Sequence, residues 1–290
     1  MTISHVDPST TPRDKASLFR ALHGNGRVLV LPNAWDVVSA RLAEDAGAAA
    51  IATTSAGVAW SVGVADGDRL DRERAIDVVA RVAAAVDVPV TADIESGYAD
   101  TPAGVAETIE RVLAAGAVGV NLEDAHHVGP TPLRQIDEQA DRVAAARQAA
   151  DTARVPLFLN ARIDTYLRSV GDPVTRLRET LTRAAAYVAA GADGIFVPGV
   201  TDPETVSALA AGVAAPLNVL AGPGAPGVAT LAELGVARVS LGSAIAEAAY
   251  AVVRRSSCEL LTAGTYTSLA DALDYNELNA LSQRNTALSE

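Results

Sequence analysis

The chain has 290 residues, 49% of them hydrophobic and 4% aromatic, which suits one large globular unit with a core of Ala, Val, Leu and Ile. A net charge of −12 excludes general nucleic-acid binding, because neutralising phosphates needs a basic face. One cysteine (Cys258) and one lysine (Lys15, ahead of the first strand) exclude a disulfide framework, a Cys/His zinc site and the in-site lysine of pyridoxal phosphate or Schiff-base enzymes.

Met1 to Arg20 is polar and carries no apolar segment of signal-peptide type. No run of about 18 apolar residues follows, so no membrane contact is expected and the expected setting is the cytoplasm. Residues 13–24 read as a short helix at the bottom of the fold. A motif then repeats, in which a helical stretch ends in Ala/Gly and an apolar strand follows almost at once. It occurs at Leu42–Gly47 into Ala50–Ala52, Leu113–Gly116 into Val118–Val120, Ala189–Asp193 into Gly194–Val197, and Glu233–Ala237 into Arg238–Leu241. Glycine closing a helix just before a strand is the chemistry of an αβ loop.

Eight strands are expected, over about 28–34, 49–54, 88–94, 118–123, 156–162, 194–198, 216–221 and 238–242. Helical patterns follow each, such as Ala75–Val82 and Leu177–Ala184. Eight alternating units predict an α/β protein of the (β/α)8 TIM-barrel type. No G-x-G-x-x-G follows the first strand, which argues against a nicotinamide-binding fold. Residues 267–284 read as one more helix, with Leu269, Leu273, Leu278 and Leu281 as its apolar points. It has little barrel left to cover, so burial against a partner subunit of a homo-oligomer, a dimer or tetramer, is expected. The chain thus divides into 1–265, the barrel with its N-terminal helix, and 266–290, a C-terminal helical extension.

Active sites of such barrels lie at the C-terminal ends of the strands. The first strand ends on Pro32-Asn33-Ala34-Trp35-Asp36, and the second runs into Thr53-Thr54-Ser55-Ala56-Gly57. The third carries Asp93 and Glu95, which strand alternation points the same way. The fourth ends on Glu123. Three convergent acids are costly without a cation between them, and together they make a hard-oxygen shell for Mg²⁺, with Mn²⁺ as the alternative. The bland reading is that such acids cap the next helices.

Arg162 ends the fifth strand, either as a clamp for a substrate carboxylate or paired with Asp164 or a metal-side acid. Thr54, Ser55, Ala56 and Gly57 offer hydroxyls and amides to a substrate, and Trp35 and Asn218 lie at neighbouring strand ends. Asp66 falls in the turn-prone Val64-Ala65-Asp66-Gly67-Asp68. His126 and His127, in the loop after the fourth strand, are candidate proton carriers or plain solvated loop residues.

These pieces occur in a telling order: Pro32–Asp36, Thr54-Ser55 with Gly63–Asp66, Ala92–Tyr98, Asn121–Asp124 and Ala161–Asp164. The set resembles the isocitrate lyase/phosphoenolpyruvate mutase superfamily over roughly residues 13–250. The resemblance implies an Mg²⁺-dependent barrel for α-oxo or α-hydroxy acids. Asp93 would lie nearest the metal, with Glu95 and Glu123 holding it directly or through water. The 54–57 stretch would bind the substrate carboxylate, Asp66 would approach the substrate or a metal-bound water, and Arg162 would clamp the oxyanion end. The resemblance also implies a tetramer with exchanged terminal helices.

The departures narrow the reaction. The loop Asp124–Leu133 has neither the K-[KR]-C-G-H of the isocitrate and methylisocitrate lyases nor the D-K-x-F-P-K-x-N of the mutase and phosphonopyruvate hydrolase branches. Phe196-Val197-Pro198-Gly199 replaces the lyase F-P-E-A. What remains is the shared chemistry, a metal-stabilised enolate left by cleavage of a C–C bond. The expectation is an Mg²⁺-dependent C–C lyase or decarboxylase for a small α-oxo or α-hydroxy di- or tricarboxylate. The rivals are phosphorus–carbon chemistry on a phosphonopyruvate-like acid and a non-catalytic ligand-binding barrel.

Overall fold

The computed structural model describes residues 11–127 and 131–283. His5, the middle of the 124–133 loop and the last residues of the C-terminal extension lie outside the described residues. The chain opens with helix α1 (Pro12–Leu22), followed by strands β1 (Leu29–Leu31) and β2 (Asn33–Ala34). Helix α2 (Val37–Asp45), strand β3 (Ile51–Thr53), helices α3 (Ser55–Ser61) and α4 (Arg72–Ala85) and strand β4 (Val90–Asp93) come next. Then follow α5 (Pro102–Ala114), β5 (Gly119–Glu123), α6 (Ile136–Thr152), β6 (Phe158–Arg162), α7 (Pro173–Ala189) and β7 (Gly194–Val197). The rest is α8 (Pro203–Gly212), β8 (Leu217–Leu220), α9 (Val228–Glu233), β9 (Arg238–Ser240), α10 (Ala244–Ala263) and α11 (Tyr275–Gln283).

All the strands are parallel, in the order β1-β9-β8-β7-β6-β5-β4-β3-β2. Because β1 and β2 are joined through Pro32 alone, this nine-strand order is an eight-position barrel whose first strand is broken. The expected single strand 28–34 is therefore corrected to two. Proline has no N–H for the ladder, so β1 pairs with β9 and β2 with β3 on either side of it. Proline also explains why other strands are shorter than expected: β4, β6 and β8 all start after Pro89, Pro156 and Pro216.

The repeated helix–glycine–strand motif works as read, with Gly116 at φ +89 and Gly191 at φ +109 reversing the chain in the left-handed region. Helix starts are capped by Thr101, Asp172 and Asp202, each followed by a proline in the first turn. Outward-facing strand residues such as Ile51, Val120, Leu122, Leu159, Ile195 and Val239 pack with Val82, Ile109, Val143 and Leu209 of the helices in one core.

The barrel interior is different. Its inward side chains include Thr91, Asn121, Asn160, Asn218 and Arg238, all buried, where such barrels are ordinarily filled by branched aliphatics. Asn160 Nδ2 donates to Asn121 Oδ1 at 2.9 Å and to Asn218 Oδ1 at 3.1 Å. Beneath this amide belt α1 closes the bottom, its Phe19 packed with Leu29, Leu31, Ala52 and Phe158. Gly119 makes room for that ring, since a Cβ there would lie 2.6 Å from Phe19 Cε1.

At the far end, α11 packs on α2 of its own chain, Leu281 is buried, and Arg41 donates to the Leu281 carbonyl at 2.6 Å. Leu261 in the last turn of α10 is exposed, as are Tyr266, Leu269 and Leu273 between α10 and α11 and Tyr275 at the start of α11. No helix among the described residues is long and apolar enough to cross a membrane.

Candidate active site

Asp93 is the last residue of β4 and its amide donates to Thr53 Oγ1 at 2.9 Å. Its Oδ2 accepts from the Ser55 hydroxyl at 3.1 Å and from the Ser55 amide at 3.4 Å, at the start of α3. Its Oδ1 is buried without a partner. Burial first, and then the neighbouring Asp66, raise its pKa, with Arg162 opposing.

Glu95 does not reach the site by strand alternation, since β4 ends two residues earlier. A left-handed turn carries it there, with Glu95 at φ +49, Gly97 at φ +90 and Tyr98 at φ +50. Glu95 Oε2 accepts from the Gly67 amide at 2.9 Å and from the Asp68 amide. Asp68 returns the bond, its carboxylate accepting from the Ser96 amide and hydroxyl. Glu95 Oε1 is buried and unpartnered, and burial pushes the Glu95 carboxyl up to about 8.

Glu123, at the end of β5, has both oxygens engaged. Oε1 lies 2.6 Å from His127 Nε2 and Oε2 lies 2.7 Å from Arg162 NH1. Burial raises its pKa in spite of Arg162. Arg168 NH2 donates to His127 Nδ1 at 3.0 Å, so the ring proton is on Nε2, facing Glu123. Arg162 also makes a two-pronged pair with Asp164, at 2.7 and 3.0 Å. Burial alone would weaken the Arg162 charge, but Glu123, Asp164 and Asp93 together raise its pKa. Asp164 is fully buried, with Asp124 accepting from its amide at 2.9 Å.

The acids, Arg162 and His127 are thus brought together. Asp66 is exposed above them, and its charge raises the pKa of both Asp93 and Glu95. His126 stands apart, its amide donating to the Pro132 carbonyl. Thr54, Ser55, Ala56 and Gly57 form the buried start of α3, with Thr54 Oγ1 accepting from the Gly57 amide at 3.5 Å. Trp35 packs against the far side of that helix with Val58 and Ala59. Asn218 sits a layer deeper, in the amide belt, where its side chain donates to the Arg238 carbonyl and to Ser240 Oγ.

Asp68, Ser96, Asp164 and Arg168 complete the site; the sequence offers Asp164 as a possible partner of Arg162, which it is, and gives the other three no place in the chemistry. The Asp66-Gly67-Asp68 turn and the spacing of Arg168 four residues after Asp164 were the available signals. Among the described residues, the His and carboxylate atoms that lie within 4.8 Å of one another as a possible metal group belong to Asp68, Glu95 and His127. The donor set suits a hard divalent cation, since Asp93 Oδ1 and Glu95 Oε1 are two buried carboxylate oxygens with nothing to satisfy them. Asp164→Ala is expected to cost about 3 kcal/mol, because it leaves the largely buried Arg162 guanidinium with Glu123 alone and removes the acid facing Arg168; urea unfolding measures it.

An uncharacterized protein of Mycobacterium tuberculosis (strain H37Rv) is 42% identical over 78% of this chain and 81% of its own. Oxaloacetate decarboxylase 2 of Pseudomonas fluorescens (strain Pf0-1) is 30% identical over 71% of this chain and 70% of its own. A phosphonopyruvate hydrolase solved with oxalate and Mg²⁺ superposes with a TM-score of 0.81 at 26% identity, over 92% of this chain and 93% of the other. The phosphoenolpyruvate phosphomutase family matches residues 19–261, and the chain belongs to it, within the isocitrate lyase/phosphoenolpyruvate mutase superfamily.

Proposed function

We propose that this chain is a divalent-cation-dependent lyase that cleaves a C–C bond, by decarboxylation or retro-aldol cleavage, in a small α-oxo or α-hydroxy di- or tricarboxylate. The carrying observation is the pair of buried, unpartnered oxygens on Asp93 and Glu95 beside the fixed guanidinium of Arg162. Asp93 and Glu95 would hold Mg²⁺, or Mn²⁺, with Glu123 and Asp68 alongside. A bound cation of this kind supplies Lewis-acid stabilisation for the charge that develops on an α-oxo acid.

The chain's own groups supply the rest. Arg162 is held by Asp164 and Glu123, so its remaining N–H groups meet a substrate carboxylate without reorganising. The Ser55 hydroxyl fixes the orientation of Asp93. His127 Nε2 and Glu123 Oε1 share a proton that can be delivered to the carbon left by cleavage, or taken back from a hydroxyl. Burial raises the Glu123 pKa, with Arg162 and the His127 hydrogen bond opposing.

A thermal-shift titration with Mg²⁺, oxalate and both tests the reading. Oxalate mimics a planar enolate, and a ligand at about 100 times its Kd stabilises the folded form by roughly 2.7 kcal/mol. The expected result is a shift that needs both ligands; none under any condition would sink it. Turnover of oxaloacetate, malates and phosphonopyruvate then separates the chemistries, since phosphate release from the last would move the assignment to phosphorus–carbon cleavage. The exposed apolar residues Leu261, Tyr266 and Tyr275 support a homo-oligomer. Sedimentation should therefore give at least a dimer, and a monomer would count against it.

A further inference from the structure

The most unusual buried group outside the acids is Arg238, which starts β9 and reaches across the barrel interior to β5. It is 1% exposed. One terminal nitrogen donates to Asn121 Oδ1 at 3.3 Å, the guanidinium lies 5.9 Å from the centre of the Phe19 ring, and Nε and NH1 have no partner. It makes no ion pair with a carboxylate among the described residues. Beneath it His23, whose Nδ1 is bonded to the Phe19 carbonyl, is kept neutral by burial and by Arg238 itself, its pKa pushed down to about 3.

A guanidinium in such a place is unfavourable unless negative charge lies within range. The acids of the layer above meet that need. Asn121, which Arg238 holds, pairs in register with Asp93. Asp93 is also the carboxylate whose field supports the Arg238 charge against burial. Asn121 of the amide belt links the two, and a protein interior screens far less than water.

We propose that Arg238 is an internal counter-ion of the acid cluster, a fixed positive charge beneath Asp93 that weakens the site's hold on its divalent cation and so keeps that cation exchangeable. The inference rests on the divalent-cation reading of the site. Arg238 touches neither the cation nor the substrate in this account; it acts through Asp93 and is a positioning residue. Repulsion through the low-dielectric interior opposes entry of a doubly charged ion, and without Arg238 the acids repel one another more and gain more from the ion.

Mn²⁺ binding to the full chain, followed by the electron paramagnetic resonance of the free ion, tests this without any assay of activity. Arg238→Met is expected to bind Mn²⁺ about tenfold more tightly than the parent, equivalent to about 1.4 kcal/mol. Arg238→Lys, which keeps the charge, should stay within about threefold of the parent. Equal or weaker Mn²⁺ binding by Arg238→Met would overturn the proposal, as expected of a residue that only fills space. If the methionine variant does not fold, Arg238→Gln, which retains a donor for Asn121, takes its place under the same criterion. Asp93→Asn separates the two layers of inference. Lost binding in Asp93→Asn with unchanged binding in Arg238→Met removes the counter-ion alone. Undiminished binding in Asp93→Asn removes the cation reading itself.

Discussion

Asp93→Asn should reduce turnover by about three orders of magnitude or more and leave the metal-free protein at least as stable as the parent. The two effects have one origin. Asp93 is a carboxylate with one buried oxygen unsatisfied and with Asp66 and Glu95 repelling it. An uncharged amide of the same shape loses the cation's anchor and also relieves the repulsion. Its amide oxygen can still accept from Ser55, so the start of α3 stays capped. Arg162 keeps Glu123 and Asp164 and only Arg238 loses part of its support, so a gain of at most about 1–2 kcal/mol by urea unfolding in a chelator is the expected direction. A loss of several kcal/mol would show instead that the charge itself holds α3 in place, and the helix-cap reading of the acid would prevail.

The second large effect is on pH. Burial pushes Glu95 up to about 8, against an ordinary value of 4.5. Between those values the folded chain retains a proton that the unfolded chain has released. Metal-free stability should therefore fall as pH rises from about 4.5 to about 8 and level off above. Cation binding needs the ionised carboxylate, so its dependence runs the other way. Apparent Mg²⁺ affinity should rise about tenfold per pH unit up to the Glu95 pKa and then flatten. Asp124, pushed up to about 6 by burial, contributes in the same direction at the acid end, so the slope is best read above that value. Calorimetric Mg²⁺ titrations of the parent and of Glu95→Gln make the check, and a flat profile in the parent between pH 6.5 and 8 would refute the assignment of Glu95.

The barrel was legible because its punctuation is local. A glycine closing several of the helices and a proline opening many strands act within a few residues, and the alternation they set leaves few alternatives to a closed parallel sheet. The acids were legible for the same reason, as charges at the ends of apolar runs. What the sequence could not display is side-chain reach. Arg238 joins Asn121 across 117 positions of chain, and nothing near either residue announces it. The left-handed turn at Glu95 was equally hidden, because a glutamate at positive φ has no composition signal. Arg162 at a strand end reads either as a substrate clamp or as a paired residue, and the structure pairs it with both Asp164 and Glu123. Those pairings leave the clamp as part of the proposal above.

The break at Pro32 has a consequence for how the molecule assembles. β1 pairs in the sheet with β9, its Leu29 amide donating to the Ala237 carbonyl, and Asn33 Oδ1 accepts from the amides of Leu241 and Gly242, each at 2.9 Å. The strand synthesised first is thus among the last to be satisfied, and the ring closes through contacts about 200 residues apart in sequence. Contacts that distant must be reached by a search that no local turn shortens, and they slow folding. Until β9 emerges and docks, the nascent sheet carries two open edges, and shielding those edges from other chains is the kinetic problem this sequence has to solve.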